Sequence, residues 1–198
     1  MPTLLRASDA RRVPWKNGRG TTLELASDTP SADEAWTWRL SIADVAESGP
    51  FSRFPECERF ILCLDGQGME LAAGSSPRVR VPHIGDALRF SGDLQTHGEL
   101  VGSPVRDANL IVMRARWNAT LSRTGSGEVP LERADIALVH VLAGRAVARV
   151  GGVELPIDSG ETLIVRDENG RLSVDGDVLI ARLTAVAHAT AAAASRLP

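Results

Sequence analysis

Phe60-Ile61-Leu62-Cys63-Leu64-Asp65-Gly66 leads to Pro82 and then to Gly85-Asp86-Ala87-Leu88, and later in the chain Leu138-Val139-His140-Val141-Leu142-Ala143-Gly144 leads to Pro156 and then to Gly160-Glu161-Thr162-Leu163. Each copy reads as a strand, a turn ending in glycine, a second strand, a proline, a glycine-acid turn and a returning strand. A tight turn needs a residue free to adopt positive φ, which is why glycine recurs at the same offsets. The echo predicts two similar antiparallel β units in one chain.

Short apolar runs between Gly, Pro and Asp punctuation extend this pattern outward on both sides. They include Trp36 to Ile42, Ala87 to Phe90, Leu110 to Met113, Ala137 to Leu142, Ala146 to Val150 and Thr162 to Val165. The fold expected is all-β. Helical candidates are few: a short segment at Asp9-Ala10-Arg11-Arg12, capped by Ser8, and the alanine-rich tail from Ala185 to Ala194. Alanine favours helix, but so short a segment without an apolar stripe is marginal and reads equally as a frayed end. The strand rhythm is similar to that of a cupin, a small antiparallel jelly-roll barrel. Two copies predict a bicupin, with an N-terminal barrel over residues 1–117 and a second, degenerate barrel with the tail over 118–198. The junction is expected between Trp117 and Pro130, with Ser122 to Gly127 as its loop.

Composition narrows the function classes. The 198 residues are 43% hydrophobic and 24% charged, an ordinary globular balance with enough apolar material for a sizeable core. The formal charge of −3, from 22 basic and 25 acidic residues without a basic block, disfavours nucleic acid and anionic membranes. The sequence has no basic start followed by an apolar stretch, and no run long enough to span a bilayer, so the cytoplasm is the expected compartment. Cys57 and Cys63 lie in one strand-like segment, about 20 Å apart if extended, and are expected as buried thiols rather than a disulfide.

Catalytic metal-binding cupins gather several histidines and an acid inside the barrel, commonly beginning with His-x-His. His83, His97, His140 and His188 are far apart and show no such spacing. No metal and no cofactor are therefore expected. His140 is read as a core histidine with one hydrogen bond, and His83 and His97 as loop residues.

Three polar segments in the first half carry the functional signal. In Trp15-Lys16-Asn17-Gly18-Arg19-Gly20-Thr21-Thr22-Leu23-Glu24-Leu25, an aromatic, a cation and an amide precede a glycine turn. These are the parts of an edge hairpin, and equally of a pocket for an anionic, partly apolar ligand. In Trp36 to Ala43, alternation places Trp36, Trp38, Leu40 and Ile42 on one face and Thr37, Arg39 and Ser41 on the other. The segment Gly49-Pro50-Phe51-Ser52-Arg53-Phe54-Pro55 then leads to Glu58-Arg59-Phe60. Arg59 shares parity with Ile61 and Cys63, so an inward face would bury it and require an anionic partner. That partner is either a ligand or one of Glu24, Glu58 and Asp107. Asp107 and Asn109 alternate onto one face of a later strand, either to orient a cation or a ligand or to stabilise a turn.

Together these pieces resemble the HutD/Ves family. The resemblance rests on Trp-Lys-Asn-Gly-x-Gly-x-Thr at Trp15 to Thr22, Trp-Arg-Leu-Ser at Trp38 to Ser41, Gly-Pro-Phe-Ser-x-Phe-Pro at Gly49 to Pro55, and Asp-x-Asn-Leu at Asp107 to Leu110. Arg19, Glu56 and Ser103 stand where that family commonly has glycine. The resemblance implies a compact bicupin whose pocket is lined by these motifs and which is tied to histidine degradation. Its intermediates, such as urocanate and formylated or formiminated glutamate, are carboxylates with flat polar groups. Lys16, Arg39 and Arg59 would meet the charge, Asn17 and Asn109 the amide-like groups, and Trp15 or Phe51 would stack. Ser41, Ser52 and Asp107 complete the candidate binding set.

The leading functional reading is metal-independent binding of a small carboxylate metabolite, a histidine-degradation intermediate, with a regulatory or accessory role in histidine utilisation or stress response. A metal-free hydrolase or isomerase is the first alternative, with Asp107 or Glu24 as general base and Lys16 or Arg59 steadying negative charge. The second is a dimeric interaction protein with a vestigial pocket, and a homodimer is a possible assembly under any of these readings.

Overall fold

The structure, a computed structural model, describes residues 1–15, 20–29 and 35–187. Its strands in chain order are β1 (Thr3–Leu5), β2 (Arg11–Pro14), β3 (Gly20–Ser27), β4 (Trp38–Val45), β5 (Gly49–Pro50), β6 (Cys57–Asp65), β7 (Met69–Ala73), β8 (Val79–Arg80) and β9 (Gly85–Asp86). They continue as β10 (Leu88–Ser91), β11 (Thr96–Leu100), β12 (Val105–Met113), β13 (Trp117–Leu131), β14 (Ile136–Val150), β15 (Val153–Asp158), β16 (Thr162–Val165) and β17 (Gly170–Ala185). Among the described residues the one helical piece is a 3-10 turn at Ala7–Asp9. The all-β expectation holds.

Three antiparallel sheets result. One runs β10-β6-β12-β4-β3-β2, a second β5-β11-β7-β8, and a third β1-β16-β14-β17-β13-β9 with β15 added to β14. None of the three ladders closes on itself: the sheets are open. β1 pairs with β16, and β9 with β13, so strands from the first half complete the edges of the third sheet.

Period-two alternation builds the layers. Trp38, Leu40, Ile42, Phe60, Leu62 and Leu110 pack against Leu121, Leu138, Leu179 and Leu183, joining the first sheet to the third. The opposite face of the first sheet buries Ala43, Val45, Ile61 and Cys63 against Met69, Leu71 and Val81 of the second-sheet region. The far face of the third sheet carries its own aliphatic core, including Val139, Val141, Ile157, Leu163, Val165 and Val178.

Four local expectations are corrected. Arg11 and Arg12 lie in β2, not in a helix, because their backbone pairs with Leu23 and Glu24 of β3. Ser122 to Gly127 is not a loop: it belongs to β13, whose long ladder with β17 absorbs the glycines as a bulge between Gly125 and Gly127. Ala137 to Val150 is one strand rather than two joined by a turn. Gly144, at φ 75°, sits beside Gly176 of β17, where a Cβ would lie 2.1 Å from the Asp175 carbonyl. His97 lies in β11 instead of a loop. The tail beyond residue 187 and His188 lie outside the described residues.

Candidate functional site

The face of the first sheet that meets the second does not fill completely. At one end it leaves a cavity of about 470 Å³ between β3, β4, β6 and β12 and the connection that runs from Glu47 through β5 to Phe54. Small-molecule sites commonly fall in this size range. That connection is fixed to the second sheet: the Phe51 amide donates to the Thr96 carbonyl at 2.9 Å, and the Leu100 amide donates to Ser48 Oγ at 2.9 Å.

Cross-strand register arranges the polar lining in rows. Arg39 and Arg59 lie on either side of Ile111; Ser41 and Ile61 flank Asn109; Ala43 and Cys63 flank Asp107. Successive rows are two residues, or about 6.8 Å, apart along β12. The expected parity of β4 holds for Trp38, Leu40 and Ile42, which are buried in the core, and for Arg39 and Ser41, which line the cavity. Trp36 departs from it. It precedes the strand, and its ring lies 4.9 Å from the Arg39 guanidinium and 6.0 Å from Phe54.

Arg59 is 5% exposed and is enclosed by Phe51, Phe54 and Phe90, whose ring centres lie 5.1, 5.3 and 5.0 Å from its guanidinium carbon. Its Nη1 donates to the Ser52 carbonyl at 3.0 Å, and its Nε has no acceptor. None of the three carboxylates considered as partners contacts it: Glu24 pairs with Arg11, Glu58 with Arg89, and Asp107 stands off. Burial lowers the Arg59 pKa to about 10, opposed by the charge of Asp107 and reinforced by Arg39. Arg39 is also held below its ordinary value by burial, with Glu24 opposing, and its Nε is likewise unpartnered. Phe54 lies 5.5 Å from Arg39 and 5.3 Å from Arg59, so the two guanidiniums share one ring. Like charges held this close repel, and an anion set between them relieves that cost.

The deeper rows hold acceptors. Asp107 is 1% exposed, and burial raises its pKa to about 7, with Arg59 pulling the other way. Neither of its oxygens has a hydrogen bond of good geometry, although the Asn109 amide lies near enough to favour the charged form. Asn109 Oδ1 is also unpartnered, while its backbone carbonyl accepts from Ser41 Oγ at 3.4 Å. Each such buried group costs about 1–3 kcal/mol until something pairs with it. At the rim, Trp15 Nε1 donates to Thr22 Oγ1 at 2.8 Å, which fixes the indole against the cavity.

Trp15, Arg39, Ser41, Phe51, Ser52, Arg59, Asp107 and Asn109 thus border one hollow. Lys16 and Asn17 lie outside the described residues. Sequence reasoning missed Phe54 and Phe90 as partners of Arg59. The Phe-x-x-Phe spacing of Phe51 and Phe54, just ahead of a buried arginine, was the available signal for the first. Cys57 and Cys63 are free, buried thiols. His140 is buried with Nδ1 2.9 Å from Thr162 Oγ1, the satisfied core histidine expected. Among the described residues, no three His, Cys, Asp or Glu side chains come together in a way that could hold a metal ion. No helix there is long and apolar enough to cross a membrane.

Glu56 stands where the resemblance expects glycine, and its backbone has φ 64°, a left-handed conformation glycine adopts without strain. Its amide is held by Asp93 Oδ1 at 2.7 Å, which pins the corner despite the side chain.

A curated relative, an uncharacterised 21.2 kDa protein in the hutC 3′ region of Pseudomonas putida, is 39% identical over 178 residues, spanning 85% of this chain and 93% of its own. The crystal structure of a conserved protein of unknown function, PA5104 of Pseudomonas aeruginosa PAO1, superposes with a TM-score of 0.84 at 32% identity, covering 93% of this chain and 99% of that one. HutD of Pseudomonas fluorescens SBW25, solved in a formate condition, gives a TM-score of 0.76 at 33% identity over 94% of this chain and 100% of that one. A cupin 2 conserved barrel domain protein from Leptotrichia buccalis, 12% identical with a TM-score of 0.54, shares the fold alone. The HutD family pattern covers residues 7–181, and the chain belongs to the HutD family.

Proposed function

We propose that the cavity binds a small carboxylate metabolite, an intermediate of histidine degradation, without a metal, and that the protein serves histidine utilisation in a regulatory or accessory role. One observation carries the reading: Arg59 is buried in an aromatic cage and faces the cavity beside Arg39, with no carboxylate among the described residues in contact with it. A guanidinium pair with free donors favours a carboxylate over a neutral ligand. The aromatic walls from Trp15, Phe51 and Phe54 favour a flat body. HutD membership and the hut-region relative support the pathway, and the formate condition of the Pseudomonas fluorescens structure supports including formate among the probes. The repeat and the cupin fold neighbour support treating residues 1–117 and 118–198 as two fused cupin units, of which the first holds the ligand.

Trp15 and Trp36 lie at the cavity wall and beside Arg39, so binding alters their fluorescence. Titration of chelator-treated protein with urocanate, formylglutamate, formiminoglutamate and formate is expected to give a saturable change with at least one of them. Ligand at about 100 times its Kd adds about 2.7 kcal/mol of stability, which raises the melting temperature by several degrees. Arg59→Ala is expected to weaken binding about 100-fold, the effect of deleting one member of a desolvated charge pair. No response to any probe contradicts the reading.

Asp107 favours one further reading. A buried carboxyl held near neutrality is suited to proton transfer, so a metal-free hydrolase or isomerase acting on the same intermediates follows if product accumulates during those incubations.

A further inference from the structure

The described lining of the cavity is not simply cationic. It carries the guanidiniums of Arg39, Arg53 and Arg59 and the carboxylates of Glu24, Glu47 and Asp107. Glu24 is engaged by Arg11 and by Ser27 Oγ at 3.1 Å. Asp107 is different: neither of its buried oxygens, nor Oδ1 of its neighbour Asn109, has a hydrogen bond of good geometry. A ligand that was only an acid on a hydrocarbon body would satisfy the arginines and leave these buried acceptors unpaired.

We propose that the ligand is two-ended, a carboxylate at the Arg39–Arg59 row joined to an N–H-bearing group that reaches the Asp107–Asn109 end. This inference rests on the carboxylate-binding reading above and narrows its substrate class. The Asn109 row lies one two-residue step from the arginine row, so the acid and the nitrogen are about 7 Å apart or slightly less. An imidazole, amidine or amide N–H supplies a donor to Asn109 Oδ1 and to an Asp107 oxygen, since the Asn carbonyl only accepts and a carboxyl keeps an accepting oxygen whether or not it holds its proton. Acids ending in plain aryl or alkyl groups are rejected, because they leave buried acceptors unpaired.

The test compares two flat unsaturated acids of similar length that differ in the ring N–H: 3-(imidazol-4-yl)acrylate and 3-phenylacrylate, titrated calorimetrically into the full chain. The imidazole acid is expected to bind about 10-fold tighter or more, the cost of leaving a buried polar site unpaired. Equal affinity, or preference for the phenyl acid, overturns the inference and leaves carboxylate binding standing. Failure of both acids, with no response to the other pathway acids, overturns both. Asp107→Leu and Asn109→Leu, which delete the acceptors at similar volume and are checked for native near-ultraviolet dichroism, are each expected to bring the affinity ratio of the two acids closer to one. A ratio that persists in Asp107→Leu and again in Asn109→Leu places the discrimination elsewhere and overturns the inference.

Discussion

The two halves of the chain repeat one rhythm with opposite interiors. Aligning Phe60 to Gly66 with Leu138 to Gly144 sets Arg59, Ile61 and Cys63 against Ala137, Val139 and Val141, and all six are buried. In the second half, these positions join a continuous aliphatic core with Leu163, Val165 and Val178. In the first half, the arginine and the acceptors of β12 hold that space open as a cavity. The turns diverge too. Gly66, φ 87°, ends β6, whereas Gly144, φ 75°, is carried inside β14 as part of a bulged ladder with β17. The physical lesson is that the repeat specifies a framework, while the inward residue at one register position decides between a filled core and a site.

Exchanging that residue breaks the comparison most severely. Ala137→Arg would bury a guanidinium among aliphatic side chains with no aromatic cage, and is expected to cost more than about 4 kcal/mol, read as a collapse of the urea midpoint. The reverse exchange, Arg59→Ala, removes a buried charge that borders the cavity and lacks a carboxylate partner among the described residues, and is expected to change the unfolding free energy by less than about 2 kcal/mol. Comparable losses for both substitutions would contradict the account of the two interiors.

A smaller effect follows from titration, and the halves again differ in sign. Asp107 has a folded pKa of about 7, above the unfolded carboxylate value, so the folded state holds a proton that the unfolded chain releases between about pH 4 and 7. Its contribution to stability therefore falls as pH rises through that window. His140, buried with its pKa lowered to about 4, contributes stability that is complete above about pH 6.5 and is lost as pH falls toward 4. Asp107→Asn is expected to exceed the native protein in stability by about 1–3 kcal/mol at pH 8 and to approach it near pH 5. An equal margin at both values in urea unfolding removes Asp107 as the source.

The smallest expected effect concerns the corner leading into β6. Glu56→Gly relieves a left-handed non-glycine backbone and is expected to stabilise by about 0.5–1 kcal/mol, a rise of a few degrees or less in melting temperature.

Much of this was legible from residue order because strand alternation is local. The parity of Arg39 and Ser41 against Trp38 and Leu40, and of Arg59 with Ile61, required only a period of two. What escaped depended on pairing partners distant in sequence. Ser122 to Gly127 is strand because Val174 to Ile180 lies beside it, a fact that glycine and serine content hides. Arg11 and Arg12 look helical until β3 supplies a ladder. The aromatic cage was half visible: Phe51 and Phe54 share a motif just before Arg59, but Phe90 arrives through the register of β10 with β6. Trp36 does not share the face of Trp38, Leu40 and Ile42, because strand alternation begins only with β4 at Trp38.

The central claim is that the first-half interior is a carboxylate site built on two arginines. It is tested most directly by a crystal structure of the protein soaked with urocanate. The account predicts planar density with its carboxylate bridging Arg39 and Arg59 and its ring directed toward Asn109 and Asp107. Density elsewhere on the protein with this cavity closed, or an empty cavity in which Arg59 has turned to pair with Asp107, would contradict it.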